Sequence, residues 1–280
     1  MEPKRWDIII GADDPTTACD ALAQRTGLSK SRLKRAMIQG AVWLQRPKAK
    51  MRRVRRATTA VQSGDCWTVY YDPAILDLSP PQARCLKATP YYSIWFKPAG
   101  LMTQGTRFGD HCSLARQVEH HFQMKRKVLL VHRIDREAAG IVIVAHSRVA
   151  AARFSAMLRA GAINKGYTVR VRGNLTRLTS PGRITLDLDA KRAVTEYEPV
   201  AYDAATDETL VRVRIDTGRR HQIRRHLAMI GFPVMGDPRY GENNKNQSGL
   251  QLVADTIAFD CPFGKGRISL HLDNQGLNLP

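Results

Sequence analysis

Ile141-Val142-Ile143-Val144-Ala145 is apolar at every position, and this run constrains the fold more than any other. A half-solvated strand would alternate. A run without alternation predicts a strand covered on both faces, in the middle of its sheet. Five of the seven residues at 131–137, immediately before it, are ionisable: His132, Arg133, Asp135, Arg136 and Glu137. Charges at the mouth of a buried strand need partners, because an unpaired buried charge is strongly unfavourable. Ser147 then caps a helix whose stripe is Ala150, Phe154, Met157 and Leu158, and Gly161 ends it.

Further strands follow from the same reasoning. Ser93 to Phe96 is a short strand before Lys97-Pro98, Lys165 to Arg172 alternates, and Val194 to Val200 and Leu210 to Ile215 are strand-like, the last with Arg212 and Arg214 on one face. The expected architecture is α+β: a larger domain over 93–280 with a mixed, largely antiparallel central sheet flanked by helices. Ahead of it, residues 1–72 form a small αβ domain. Thr16 or Thr17 caps a helix through Ala23, Ser29 caps a second helix with Leu33, Met37 and Ile38 on one face, and Gly40 follows. Ala41 to Leu44 and Cys66 to Tyr71 are its strands. Residues 73–92, with Pro73, Pro80, Pro81 and Pro90, are expected to be a linker.

Charge narrows the partners. The 280 residues carry 44 Lys and Arg against 25 Asp and Glu, a formal charge of +19. The excess lies in both parts: 14 basic and 8 acidic residues in the first 80, 30 and 17 in the rest. Such a chain suits a polyanion, nucleic acid first, because each phosphate contact releases counterions. No apolar run approaches the ~18 residues of a membrane span, so no membrane partner is expected. The five cysteines are dispersed, without a C-x-x-C pair, which predicts no disulfide framework, no metal site and a cytoplasmic location. A monomer is the expected state.

Three segments carry candidate chemistry. Asp135 lies between Arg133 and Arg136, cations that would keep it ionised, as a nucleophile or base requires; a structural ion pair is the competing reading. Gly218 to Leu227 leaves a turn and opens a helix with Ile223, Leu227 and Ile230 inward. Arg224 then falls on the flank, able to reach a cleft, and Arg225 points to solvent, placed for phosphate. Tyr167 in Lys165-Gly166-Tyr167 can stack on a base or pack in a core. In the first domain Arg32, Lys34 and Arg35 crowd the second helix, and Arg52 and Arg53 sit in a stretch, 46–56, with seven basic residues in eleven. All five are candidate RNA contacts. No phosphate-cradling glycine motif is present.

Taken in order, five motifs resemble the RluA-type RNA pseudouridine synthases: Lys97-Pro98-Ala99-Gly100-Leu101; His132-Arg133-Ile134-Asp135-Arg136; Lys165-Gly166-Tyr167; Gly218-Arg219-Arg220-His221-Gln222-Ile223-Arg224; and Gly231 to Gly241 around Gly236-Asp237. The N-terminal segment resembles the small RNA-binding domain of ribosomal protein S-four, without the usual Asn-Gly after its strand. The resemblance implies an isomerase that detaches uracil from ribose, turns it and rejoins it through carbon five. Asp135 corresponds to the essential carboxylate, Tyr167 to the tyrosine against the base, Arg224 to the arginine paired with Asp135, and Arg133 to a residue filling the gap left by a flipped uridine. No metal or organic cofactor is implied. Ribosomal RNA is the expected substrate, with tRNA, or a non-catalytic RNA-binding or ribosome-assembly role, as alternatives. Ala138-Ala139-Gly140 replaces the family's T-S-G, and Leu250-Gln251-Leu252-Val253-Ala254 its L-x-L-H-A.

Overall fold

The computed structural model of the chain describes residues 2–178 and 181–272. It divides into two compact units, Met1–Pro80 with Gln104–Phe122, and Pro81–Thr103 with Gln123–Pro280.

The first unit holds β1 (Lys4–Ile9), α1 (Ala18–Thr26), α2 (Lys30–Ile38), β2 (Val42–Gln45), β3 (Arg52–Arg53), β4 (Cys66–Tyr71), α3 (Pro73–Leu76) and α4 (Leu114–His121). Its four strands lie in the order β1-β4-β2-β3. Thr17 and Ser29 cap α1 and α2, each accepting from an amide three residues on, a cap that satisfies one of the helix's orphan N–H groups. Leu22, Leu33, Met37, Val42, Trp67 and Val69 are all fully buried in its core. Residues 104–122 belong to this unit although sequence patterning assigns them to the second. The contacts that hold them are remote in sequence: Phe108 packs edge to face on Tyr70 at 5.3 Å, and the Asp110 amide donates to the Gln39 carbonyl. Asp110 accepts from Arg55 at 2.5 Å and pairs with Arg53 at 3.3 Å.

The second unit is built on a ten-stranded sheet. In chain order its elements are β5 (Arg84–Ala88), β6 (Tyr92–Lys97), β7 (Leu129–Leu130), β8 (Ala139–Ala145), α5 (Arg148–Arg159), β9 (Ile163–Arg172), β10 (Gly182–Ile184), β11 (Thr195–Asp203), β12 (Glu208–Ile215), α6 (Gln222–Met229), β13 (Leu252–Asp260) and β14 (Arg267–His271). The main path runs β10-β11-β12-β9-β13-β8-β6-β5. Every pair is antiparallel except β8 with β13. This is the α+β fold with a mixed, largely antiparallel sheet.

Residues 73–92 are not structureless. They contain α3, capped by Asp72, and β5, the edge strand beside β6. The prolines bracket these elements rather than interrupt them, and an edge strand needs only one hydrogen-bonding side, so a weak pattern suffices there.

The all-apolar run is β8, interior as its pattern requires, with Ile141 to Ala145 all buried. Gly140 opens its parallel pairing with Ala254 at φ 135°, and a Cβ there would lie 2.3 Å from the Ala254 carbonyl oxygen. The strand therefore requires glycine at the point where the charged loop feeds into it.

Candidate active site

Four local devices bring the charged loop 131–138 and α6 together within the second unit. His132 Nε2 accepts the Ile143 amide at 3.0 Å, pinning the loop to β8. Burial pulls this imidazole down to about 3, so it stays a neutral acceptor. Thr103 donates to the Ile134 carbonyl at 2.7 Å and accepts its amide at 3.3 Å. Lys97, fully buried, donates to the carbonyls of Leu101 (2.7 Å), Pro98 (2.9 Å) and Arg136 (3.3 Å). Its three N–H donors match three acceptors, although burial pulls the ammonium down to about 7. Gln222 completes the set on α6, donating to Val194 and Thr195 of the β11 side and accepting from Thr217 and the Arg219 amide.

Asp135 stands at the centre, its side chain 25% exposed. The guanidinium that meets it comes from α6: Arg224 Nη1 donates to Oδ2 at 2.9 Å. Arg224 goes deeper than the helix flank the spacing predicts; its side chain is 1% exposed. Asp237 makes that burial tolerable. It receives Nε at 2.7 Å and Nη2 at 2.8 Å, a bidentate pair, and also accepts the amides of Arg239 and Tyr240. Burial opposes both charges, but their mutual hydrogen bonds outweigh it. Arg224 is left above its ordinary value and Asp237 below. Glu137 lies 3.7 Å from Arg224, and the guanidinium sits over the Tyr240 ring at 5.4 Å.

Tyr167 projects from β9, 8% exposed. Burial first, then the charges of Asp135 and Asp255, push its hydroxyl up, so it remains a neutral phenol. Asp135, Arg224 and Tyr167 are thus brought to one neighbourhood. Arg133 is exposed on the loop, and Arg136 turns to the Gly100 carbonyl at 3.2 Å. Arg225 is not directed to open solvent alone: it makes a two-pronged contact with Asp189 at 3.0 and 3.2 Å.

The candidate contacts of the first unit fall into two groups. Arg32, Lys34 and Arg52 are exposed. Arg35, also exposed, pairs with Asp77 and donates to Leu76. Arg53 is tied inward, with its guanidinium 4.3 Å from the Trp43 ring centroid and donating to Gly40 and Thr106. Burial lowers its pKa.

Sequence reasoning assigned no role to Lys97, His132, His221, Asp237 or Tyr240. Lys97 and Asp237 carried a signal: each is a charge among prolines, glycines and apolar residues, which asks for a buried partner. A cavity of about 570 Å3 lies along β9, β12 and β13, lined by Thr168, Arg212, Arg214 and Asp255 among others. Tyr167 lines it as well, whereas Asp135 and Arg224 do not. Among the described residues no group of three or more His, Cys, Asp or Glu side chains is placed to hold a metal ion.

Comparison with known proteins bears on this geometry. A sequence model described as RNA pseudouridylate synthase matches residues 91–229. An uncharacterised RNA pseudouridine synthase of Zymomonas mobilis is 33% identical over 177 residues, which are 58% of this chain and 80% of that protein. Two uncharacterised RNA pseudouridine synthases of Bacillus subtilis match at 32% and 34% identity over 58% and 48% of this chain. The match covers the same shares of each relative, so the chain spans about half their length. Two further relatives, from Zymomonas mobilis and Pasteurella multocida, are named ribosomal large subunit pseudouridine synthase D and tRNA pseudouridine synthase C. Among solved structures, human RNA pseudouridylate synthase domain containing 4 aligns with TM-score 0.55 at 20% identity, over 68% of this chain and 87% of that one. At that identity the likeness concerns the fold.

Proposed function

We propose that this chain, which belongs to the RNA pseudouridylate synthase family, isomerises uridine to pseudouridine in RNA with Asp135 as the reacting carboxylate. The observation that carries this reading is the Asp135–Arg224 pair at 2.9 Å. One carboxylate oxygen is held by a buried, doubly anchored guanidinium, while a quarter of the side chain stays open to a substrate. In the reaction the N1–C1′ bond of uridine breaks and a C5–C1′ bond forms. The proton leaving C5 balances the one gained at N1. Asp135 serves by attacking the sugar or base, or by taking a ribose proton. Arg224 holds the carboxylate in orientation; Tyr167 is assigned to stack on the turned base. Arg133, exposed on the loop before Asp135, is assigned to the gap left in the RNA.

The first unit is assigned as an S-four-like RNA-binding module. Its exposed Arg32, Lys34 and Arg52 support that assignment. Ribosomal RNA is the substrate we infer, in the cytoplasm and with a monomeric enzyme; tRNA is the alternative. The test is a carbodiimide-adduct primer-extension map of unmodified total RNA and ribosomal precursor particles, treated with the parent protein and with Asp135→Asn. A new stop with the parent alone is expected, and its position names the RNA. No new stop on any of these substrates overturns the assignment.

A further inference from the structure

Asp135 Oδ2 is held by Arg224, but Oδ1 has no hydrogen-bond donor in range among the described residues. The group facing it is His221, whose Nε2 lies 3.9 Å away. The histidine is held in place from behind. Its Nδ1 is 3.0 Å from the Tyr240 hydroxyl, and the two rings meet edge to face at 5.7 Å. Tyr240 is in turn tied to the Arg224 anchor, through its amide on Asp237 and its ring beside the guanidinium. The chain of contacts therefore runs Asp135–Arg224–Asp237–Tyr240–His221 and returns to Asp135.

The backbone points the same way. His221 occupies the residue before α6 at φ 51°, ψ 31°, the left-handed region, and makes no capping hydrogen bond with its side chain. A non-glycine residue there is uncommon and costs free energy, so its surroundings must hold it. The tautomer follows from the neighbours. A carboxylate opposite Nε2 favours the proton on that nitrogen, which leaves Nδ1 to accept the Tyr240 O–H. Groups facing the ring are Asp135 from the loop, Arg220 and Arg224 around the start of α6, and Arg239 with Tyr240 from the following loop. Burial and the three arginines pull the imidazole below its ordinary value against the opposing charge of Asp135, so it is neutral at pH 7.

We propose that His221, held by Tyr240, is a positioning residue for Asp135: its Nε2–H faces Oδ1 and sets the direction from which that free oxygen meets the uridine. This rests on Asp135 being the reacting carboxylate, and the test separates the two ideas. In the full chain labelled with 15N-histidine, two-bond 1H–15N spectra should show His221 protonated on Nε2. The tautomer should become mixed in Tyr240→Phe, and Asp135→Asn should lower the His221 titration midpoint. In single-turnover pseudouridine formation, His221→Ala should slow the step by about 10- to 100-fold with RNA affinity unchanged. His221→Gln, which keeps an N–H near the same place, should recover most of that loss. A proton on Nδ1, a midpoint indifferent to Asp135→Asn, or a glutamine variant as slow as the alanine variant each overturns the proposal. If the spectra behave as expected but the parent makes no pseudouridine on any RNA, the pairing of His221 with Asp135 stands and the assigned reaction falls.

Discussion

Arg224 combines two demands that usually conflict, full burial and full charge. A guanidinium removed from water needs its five N–H donors used, and Asp237 and Asp135 take three of them from opposite sides. Asp237 is therefore as consequential as the residues that would touch RNA. Asp237→Asn should lower stability by about 3 kcal/mol, the scale for breaking a buried ion pair from one side. It should also slow the single-turnover rate by letting Arg224 swing from Asp135. Urea titration and rapid-quench kinetics on one preparation check both effects; a variant equally stable and equally fast would mean that Arg224 is held by other contacts. Residue identity was legible here in unequal measure. Asp135 stood out because five ionisable residues crowd the approach to an apolar strand. Tyr240 and His221 did not, because nothing in a loop tyrosine or a basic helix start says which way it turns.

At the scale of the elements, two local requirements can be tested. Gly140 joins the charged loop to β8, and its φ and the nearby Ala254 carbonyl both exclude a side chain. Gly140→Ala should separate β8 from β13 at their single parallel contact and cost on the order of 3 kcal/mol or more, measured by thermal melting against the parent. An unchanged melting point would mean that the strand pair can shift to admit a methyl group. The basic stretch 46–56 is the second case. Arg46, Arg53 and Arg55 are engaged with Asp65 and Asp110, whereas Lys48, Lys50, Arg52 and Arg56 are exposed. Replacing those four with glutamine should weaken binding to all RNAs and flatten the log–log salt dependence by about 0.7 to 0.9 per lost contact. An unchanged slope would make the stretch a solvated surface. Strand and helix positions in both units were largely readable, since caps and periodicity are local. β1, β5 and β14 were not, because edge strands carry half a pattern and take the rest from a neighbour; helix α4 and the central strand β13 were not read from the sequence either.

Across the whole molecule, burial holds many histidines neutral. His111, His132, His146 and His226 each lie below the ordinary value, burial being the first cause in every case. An unfolded chain takes up protons on these rings near pH 6.5 while the native one resists, so the unfolded state binds more protons as pH falls. The associated stability is complete above about pH 6.5 and declines below it, at about 1.4 kcal/mol per pH unit for each ring that stays neutral. Denaturant midpoints at pH 7 and pH 5 should differ accordingly, and His132→Asn should shrink that difference; an equal difference in the variant would remove His132 from the account. The charge of +19, the α+β class, the buried strand and the candidate carboxylate are properties of composition and short-range pattern, so the sequence alone determined them. The motif resemblance already paired Arg224 with Asp135; the tertiary structure alone decided which aspartate anchors that arginine and that residues 104–122 pack with the first unit. Each of these joins charges separated in sequence, by 13 residues for Arg224 and Asp237 and by 55 for Arg55 and Asp110, and burial selects such partners only once the chain has folded.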